Sequence, residues 1–369
     1  MTDTTMVREA GALLARAREE LWRAVCERDE FAAGRVVFAA LDEGADAEDV
    51  LLDVIAAVQH KVGAEWAADR FTVAQEHAAT AIHERIIAAM AHRTPAAPAS
   101  ATAATVTVAC VDGEWHALPA RLLAEVLRHR GHRVDFLGAQ VPAQHLMAHL
   151  HRTAPAVVAL SSSIPTRLPT AHTAITAVQA VGIPVLAGGA AFGADGRYAR
   201  LLGADAWAPD ARAAAGLLAR GLTRPSPGAV RQTVEDLPHL SDQEYTLVAR
   251  GKRRMVRGTL AGLEERLPAM RAYTDAQRER TAEDIAHIVD FLACALYTDD
   301  SALFTGFLDW TGGILEARRV PAQVLDPGLA LLQEELKDFP RALDFLSLGR
   351  AALRRRGTRP PAPGPDDDV

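Results

Sequence analysis

Between Thr105 and Ala208 short β-rich apolar runs alternate with stretches of helical periodicity, and no other feature restricts the fold as strongly. The runs lie near Thr105 to Cys110, Val134 to Leu137, Val157 to Leu160, Val185 to Ala187 and Ala206 to Ala208. Such alternation implies a parallel sheet with helices on both faces, because parallel neighbours need a long crossover connection. Gly131-His132 and Gly182-Ile183-Pro184 mark the helix-to-strand turns. In open sheets of this kind ligands bind beyond the carboxyl ends of the strands. His116 belongs there: Val111-Asp112-Gly113 is turn chemistry after the first run, and helical periodicity resumes from Ala120 to Arg130. An imidazole on that loop faces the crevice, and imidazole is the commonest protein ligand for a metal. Val141-Pro142 follows the second run as a further crevice loop.

Helical modules flank this sheet. On the N-terminal side, Leu13, Leu14, Leu21 and Val25, then Val50, Leu51, Val54, Ile55 and Val58, recur at helical spacing. Breaks expected near Gly34, Gly44 and Arg70-Phe71 divide residues 1–95 into a four-helix up-down bundle. Thr94 to Thr105 reads as a linker to the sheet domain, residues 101–222, and Arg224-Pro225-Ser226-Pro227-Gly228 as a second linker. Residues 235–357 form an all-α module with helices expected at Ser241 to Leu267, Asp275 to Thr298, Ser301 to Arg319 and Pro327 to Arg355, Ser301 and Asp275 being candidate N-caps. The Pro- and Asp-rich tail, residues 358–369, is expected to be disordered.

Composition narrows the function classes. A net charge of -7 gives no electrostatic case for nucleic-acid binding. No apolar stretch is long enough to span a membrane, and Asp3 and Glu9 interrupt any leader. Three scattered cysteines, Cys26, Cys110 and Cys294, suit a reducing compartment, so a cytoplasmic protein is expected. His129, His132, His145, His149, His151 and His172 lack zinc-type spacing and are expected at the surface. No Gly-rich phosphate loop is present, which argues against a nicotinamide enzyme.

The segment Glu114-Trp115-His116-Ala117-Leu118-Pro119, with Ser161-Ser162-Ser163 after the third strand and Gly188-Gly189 after the fourth, resembles the Rossmann-like cobalamin-binding domain of methionine-synthase type. In that family an Asp-x-His-x-x-Gly loop supplies the histidine that replaces the cofactor's own base below cobalt. Here Glu114 stands for the Asp, His116 is kept, and Pro119 replaces the Gly. The resemblance implies that His116 ligates cobalt and that Trp115 and Val141 border the corrin. Gly188 and Gly189 would let backbone approach the displaced nucleotide tail, and Ser161 and Ser163 would offer it room and hydroxyls. A carboxylate on the second ring nitrogen of His116 would fix its tautomer and raise its basicity.

Upstream, Trp66 and Glu76-His77 are separated by nine residues, with Phe71-Thr72-Val73-Ala74-Gln75 between them. This set resembles the helical cap of CarH-type cobalamin photoreceptors. The resemblance implies adenosylcobalamin, with Trp66 packed on the adenosyl group, Glu76 accepting from ribose or adenine, and His77 meeting what is exposed once that group departs. Ala67 departs from the pattern, since photoreceptors that lock into a bis-histidine state carry His directly after the Trp. A cap, a cobalamin domain and a helical module in this order resemble the photocobilins, in which a globin-like domain binds a bilin, biliverdin. On that resemblance His287, Asp290, Phe291 and Cys294, spaced to share one helix face, would join Trp310 around the bilin. Asp290 would accept from pyrrole N–H groups, Phe291 and Trp310 would stack on the rings, and the basic run Arg250, Lys252, Arg253, Arg254 and Arg257 would supply cations, Arg254 among them, for the propionates.

The expected function is a light sensor rather than an enzyme. Loss of the adenosyl group would rearrange the cap and rebias a homo-oligomer or a protein partner, with no direct contact to nucleic acid or membrane. Two alternatives stand beside it: a corrinoid methyl carrier serving methyltransferases, and a light-dependent antirepressor that binds a transcription factor.

Overall fold

A computed structural model of the chain describes residues 2–93, 105–225 and 237–357. The tail, the first linker up to residue 104 and the second linker beyond Pro225 lie outside these residues. Two compact units divide the chain, Met1–Arg231 and Gln232–Val369.

In the first unit a helical cap precedes the sheet: α1 (Thr2–Glu27), α2 (Glu30–Asp42), α3 (Ala47–Asp49) running through a π-helical stretch (Val50–Ile55) into α4 (Ala56–Ala67), and α5 (Val73–Arg93). The first break falls at Arg28-Asp29 and not at Gly34, which lies inside α2. The Asp29 carboxylate accepts from Ala32 N–H at 2.8 Å, satisfying an orphan donor of the new helix. Leu21, Val37, Leu51, Ile55 and Ile87 are buried at the centre of the cap.

Five parallel strands follow, β1 (Thr105–Cys110), β2 (Arg133–Gly138), β3 (Val157–Ser161), β4 (Val185–Gly188) and β5 (Ala206–Ala208), in the order β2-β1-β3-β4-β5. Between them run α6 (Ala117–His129), α7 (Ala143–Thr153), α8 (Leu168–Ala180) and α9 (Arg197–Leu201), with α10 (Ala211–Arg220) last. The chain reverses direction across the sheet at β1 and β3, which opens the ligand crevice at their carboxyl ends. Strand alternation sends Val106, Val108 and Cys110 to one face, where they join Val157, Ala159 and Leu186 in a core continuous with α6 and the cap. His172 departs from the surface position expected of it. It sits on α8 against the opposite face, 1% exposed, because the same helix turn buries Ala171 and Ile175.

Charge also fastens the cap to the sheet domain. Arg212 of α10 reaches Asp53 at 2.6 Å and Asp49 at 2.7 Å, and Arg130 holds Glu48 through two bonds of 2.7 and 2.8 Å. All three carboxylates come from α3 and the π-helical stretch after it, so this segment carries the polar contact with the domain.

The second unit is helical: α11 (Glu244–Arg266), α12 (Asp275–Thr298), α13 (Ser301–Ala317), α14 (Asp326–Glu335) and α15 (Pro340–Gly357). The last expected helix is two, because Pro340 disfavours helical backbone at Phe339 and starts a new helix itself. The caps are Thr274, in a capping box with Gln277, and Asp300, each one residue before the expected position. Buried Glu244 accepts from Arg341 and Ala342 N–H at the start of α15, and Arg341 pairs with Asp242 and Asp299. Among the described residues no helix is long and apolar enough to cross a membrane.

The cap contains one buried titratable group that spacing did not single out. His83, fully buried on α5, bonds Gln59 Oε1 through Nδ1 at 2.6 Å, and burial lowers its pKa from 6.5 to about 4. The folded state therefore favours neutral imidazole. Stability is fully present above about pH 6.5 and is lost as pH falls towards 4. Urea titrations between these limits should show that loss, and His83→Gln should flatten it.

Candidate functional site

Glu114 stands at the centre of the crevice. Its side chain is fully buried, yet both oxygens are occupied. Oε1 accepts from the His116 backbone N–H at 3.0 Å and lies 2.7 Å from His116 Nδ1. Oε2 accepts from Ser163 N–H at 2.7 Å, Ile164 N–H at 3.0 Å and the Ser162 hydroxyl at 3.2 Å. Burial alone pushes the carboxyl up, but these bonds from His116, Ser163 and Ile164 outweigh it and hold the pKa at about 2. The carboxylate is thus a permanent anion that binds the β1–α6 loop to the β3 loop.

That anion fixes the imidazole. With Nδ1 held by a carboxylate, Nδ1 carries the proton and Nε2 keeps a lone pair for coordination. The His116 side chain is 42% exposed, so Nε2 can be reached from the crevice. His116 immediately precedes α6, which begins at Ala117. Pro119 therefore occupies the first turn of a helix, where its missing N–H costs nothing, and no glycine backbone shape is required. Cys110 lies beneath the loop, 3.8 Å from the His116 carbonyl, its thiol pushed up to about 12 by burial and by Glu114, so thiolate does not compete with imidazole.

The neighbouring loops are tied to the same point. Gln140 N–H donates to the Glu114 carbonyl at 2.8 Å, which brings the half-buried Val141 to the rim. Ser161 ends β3 and is buried, and its carbonyl accepts from Val111 N–H at 3.0 Å. The Ser161 and Ser163 hydroxyls are expected to face a nucleotide tail; towards Glu114 the structure uses the Ser162 hydroxyl and the Ser163 and Ile164 amides. Three adjacent serines carry no signal that separates them. Gly189 also has a reason of its own. At φ +98°, a Cβ there would come 2.3 Å from the Ser162 carbonyl oxygen, so glycine lets two backbone loops meet. Gly188 has only ordinary clearance, 3.6 Å to the Ala208 carbonyl.

From the cap, α4 and α5 pack antiparallel through Gln59, which bonds Thr80 at 2.8 Å as well as His83. This places Trp66, at the end of α4, and Glu76-His77, at the start of α5, at the same end of the helix pair. Trp66 packs partly buried against the core. Glu76 lies 2.6 Å from His77 Nδ1 and accepts from the Thr80 hydroxyl at 2.9 Å. The His77 ring meets Trp115 edge-on, centroids 6.4 Å apart, and Trp115 lies 4.7 Å from the His116 ring. Cap and loop residues far apart in the sequence therefore converge on one imidazole.

One imidazole is too few donors for a bare divalent ion, but it suffices for a metal whose equatorial positions a macrocycle already fills. The matches to known families agree. A model described as the B12 binding domain matches residues 104–216, and a second model of the same description matches residues 17–90. The chain is a cobalamin-binding protein. The fold of this cobalamin-binding protein is similar to three solved structures, each over 56% of the chain. They are the monomethylamine corrinoid protein of Methanosarcina barkeri (17% identity, 98% of that chain, TM-score 0.48), a cobalamin-binding protein from Desulfitobacterium hafniense DCB-2 (23%, 97%, 0.31), and the methanol:cobalamin methyltransferase complex of Methanosarcina barkeri (19%, 79%, 0.30). No curated protein matches the sequence. The assignment rests on the two family models and on the geometry around His116.

The second unit does not assemble its expected residues into one slot. Asp290 pairs with Lys252 at 2.6 Å, and Phe291 stacks on Phe307 with centroids 3.8 Å apart. Cys294 is 2% exposed, with its thiol pKa raised by burial and by Asp290. His287 and Trp310 are exposed, and Arg254 pairs with Glu335 at 3.0 Å. Shared helical spacing put these side chains on one face, but burial separates them along it. Lys252, Arg253, Val256, Arg257 and Ala286 line an open groove instead.

In protein labelled with 15N-histidine, the cob(II)alamin complex should show the doublet superhyperfine coupling of a 15N ligand in its electron paramagnetic resonance spectrum, and His116→Ala should lose that coupling. Glu114→Gln should keep that coupling while weakening cobalamin affinity about tenfold to a hundredfold. The folding stability that Glu114 contributes is present above about pH 4.5 and lost as pH falls towards 2, and the Gln variant should lack that acid limb.

Proposed function

We propose that the first unit carries an alkylated cobalamin whose own base is displaced, with His116 as the lower ligand of cobalt and the cap end bearing Trp66, Glu76 and His77 towards the upper side. The observation that carries this reading is the Glu114 clamp on His116 Nδ1, which leaves Nε2 as the coordinating atom. When bound, cobalamin supplies a cobalt–carbon bond that yields its alkyl group to an acceptor or breaks under light. Glu114 orients the imidazole and fixes its tautomer, and Gly189 and Ser162 hold the adjoining loops together. Trp66 and His77, at the cap end next to the His116 loop, would keep water from the bound group.

The methyl-carrier reading takes precedence because it requires only the cap and sheet domains that the family models cover. Here the cap protects the alkyl group between encounters with a methyltransferase, and the protein is a component of an enzyme system rather than an enzyme by itself. A second reading, an adenosylcobalamin light sensor, is supported by the spacing of Trp66 and Glu76-His77 and by the ring contact of His77 with the His116 loop through Trp115. On that reading Trp66 packs on adenosyl, loss of that group frees the cap, and a homo-oligomer or a partner receives the change. The linear tetrapyrrole biliverdin then belongs to the second unit, its propionates set against Lys252, Arg253 and Arg257 along the open groove.

Reconstitution in the dark with methylcobalamin and with adenosylcobalamin separates the two. A carrier binds the methyl form at least as tightly and keeps its mass on illumination. A light sensor prefers the adenosyl form, changes spectrum and mass on illumination, and loses the preference in Trp66→Ala. Addition of biliverdin to the full chain should give a red-absorbing complex only on the second reading.

A further inference from the structure

The geometry points to Arg167 as the residue that binds the phosphodiester of the cobalamin nucleotide tail, an inference that rests on the cobalamin reading above. Arg167 lies in the first turn of the helical run Pro165–Arg167 that continues into α8, at the carboxyl edge of the sheet. Its guanidinium is laid over Gly113 of the His116 loop, so close that a Cβ on that glycine would sit 3.0 Å from an Arg167 terminal nitrogen. Gly113 has φ +76°, and the absence of a side chain there is what admits the guanidinium to the crevice.

Among the described residues no side chain answers this charge. Arg167 Nε is buried without a hydrogen-bond partner, and among the described residues the guanidinium has no carboxylate. Glu114 is the nearby anion, but its two oxygens already accept from His116, Ser162, Ser163 and Ile164. Those bonds use the carboxylate's lone pairs in full. A cation in the first turn of a helix is also set against the positive end of the helix dipole. A buried, unpaired donor of this kind is costly unless a ligand satisfies it.

The ligand must bring an anion to the rim of the crevice. Corrin side chains end in amides, which are neutral, and the fixed negative charge of cobalamin is the phosphodiester that links the corrin to its ribose and base. A guanidinium fork matches phosphate oxygens in geometry as well as in charge. The loops that Arg167 borders are the His116 loop and, through the packing of its helical turn on residues 190–192, the loop that follows Gly189. A tail displaced from cobalt would lie between these two loops.

Cobinamide, the same corrin without phosphate, ribose or base, supplies the test. The full chain, Arg167→Gln and Arg167→Lys are each titrated with hydroxocobalamin and with aquocobinamide by absorption spectroscopy. The expected result is that Arg167→Gln weakens cobalamin binding about tenfold to a hundredfold, leaves cobinamide binding within about threefold, and that Arg167→Lys recovers part of the loss. Cobinamide binding by the variant also shows that it is folded. Equal weakening of both corrinoids, or no weakening of either, overturns the role of Arg167 and leaves the cobalamin reading standing. Failure of the unaltered chain to bind either corrinoid overturns both.

Discussion

One carboxylate holds the crevice together. Glu114 collects five hydrogen bonds in a fully buried position, two from His116 and three from the loop after β3. A buried anion is tolerated only when it is satisfied to this degree. The interaction is structural and chemical together, since the bonds that fasten the loops are the ones that keep the charge, and the charge sets which nitrogen of His116 is offered outward. Were the carboxylate neutral, one of its oxygens would become a donor, and both the loop contacts and the tautomer would change.

The parts of this arrangement that were legible in the sequence are those carried by periodicity. All five strands stand out because each is a short apolar run between turn residues, and His116 is placed by the strand before it and the helix after it. The role of Glu114 could be suspected from its position two residues before His116, but not its partners across the crevice. The three adjacent serines are identical in the sequence, so only loop geometry decides that the Ser162 hydroxyl is the one that bonds Glu114. Gly189, expected to let backbone approach a nucleotide tail, also meets the Ser162 carbonyl, a demand that the sequence does not show. In the second unit the offsets of His287, Asp290, Phe291 and Cys294 correctly describe one helix face, yet a face runs from solvent to core. Spacing does not say that Lys252 takes Asp290 or that Phe307 takes Phe291.

The cap raises a different question, since two kinds of contact join it to the sheet domain. A continuous apolar core runs from α1 and α5 to β1 and α6, and the acidic stretch Glu48, Asp49 and Asp53 meets Arg130 and Arg212. Partly exposed ion pairs contribute modestly, about 1 kcal/mol or less each. The apolar contact therefore dominates the affinity, and the charges determine the register in which the cap sits. The π-helical stretch beginning at Val50 interrupts the regular helical repeat next to these carboxylates, and such interruptions recur at functional positions.

Register matters because the cap end bearing Glu76 and His77 meets the crevice at Trp115. The His77 ring lies against Trp115, and Trp115 against His116, so a group held at His116 would meet aromatic rings before any main-chain bond. Ring contacts of this kind are worth about 1 kcal/mol each, far less than the apolar core beneath them. The weaker ring contacts therefore lie at the Trp115 end of the cap, and the charged contacts lie at α3. A methyl carrier and an adenosyl-based sensor would both place their chemistry at this end of the cap, so the identity of the bound alkyl group, and not the packing of the cap, would distinguish them.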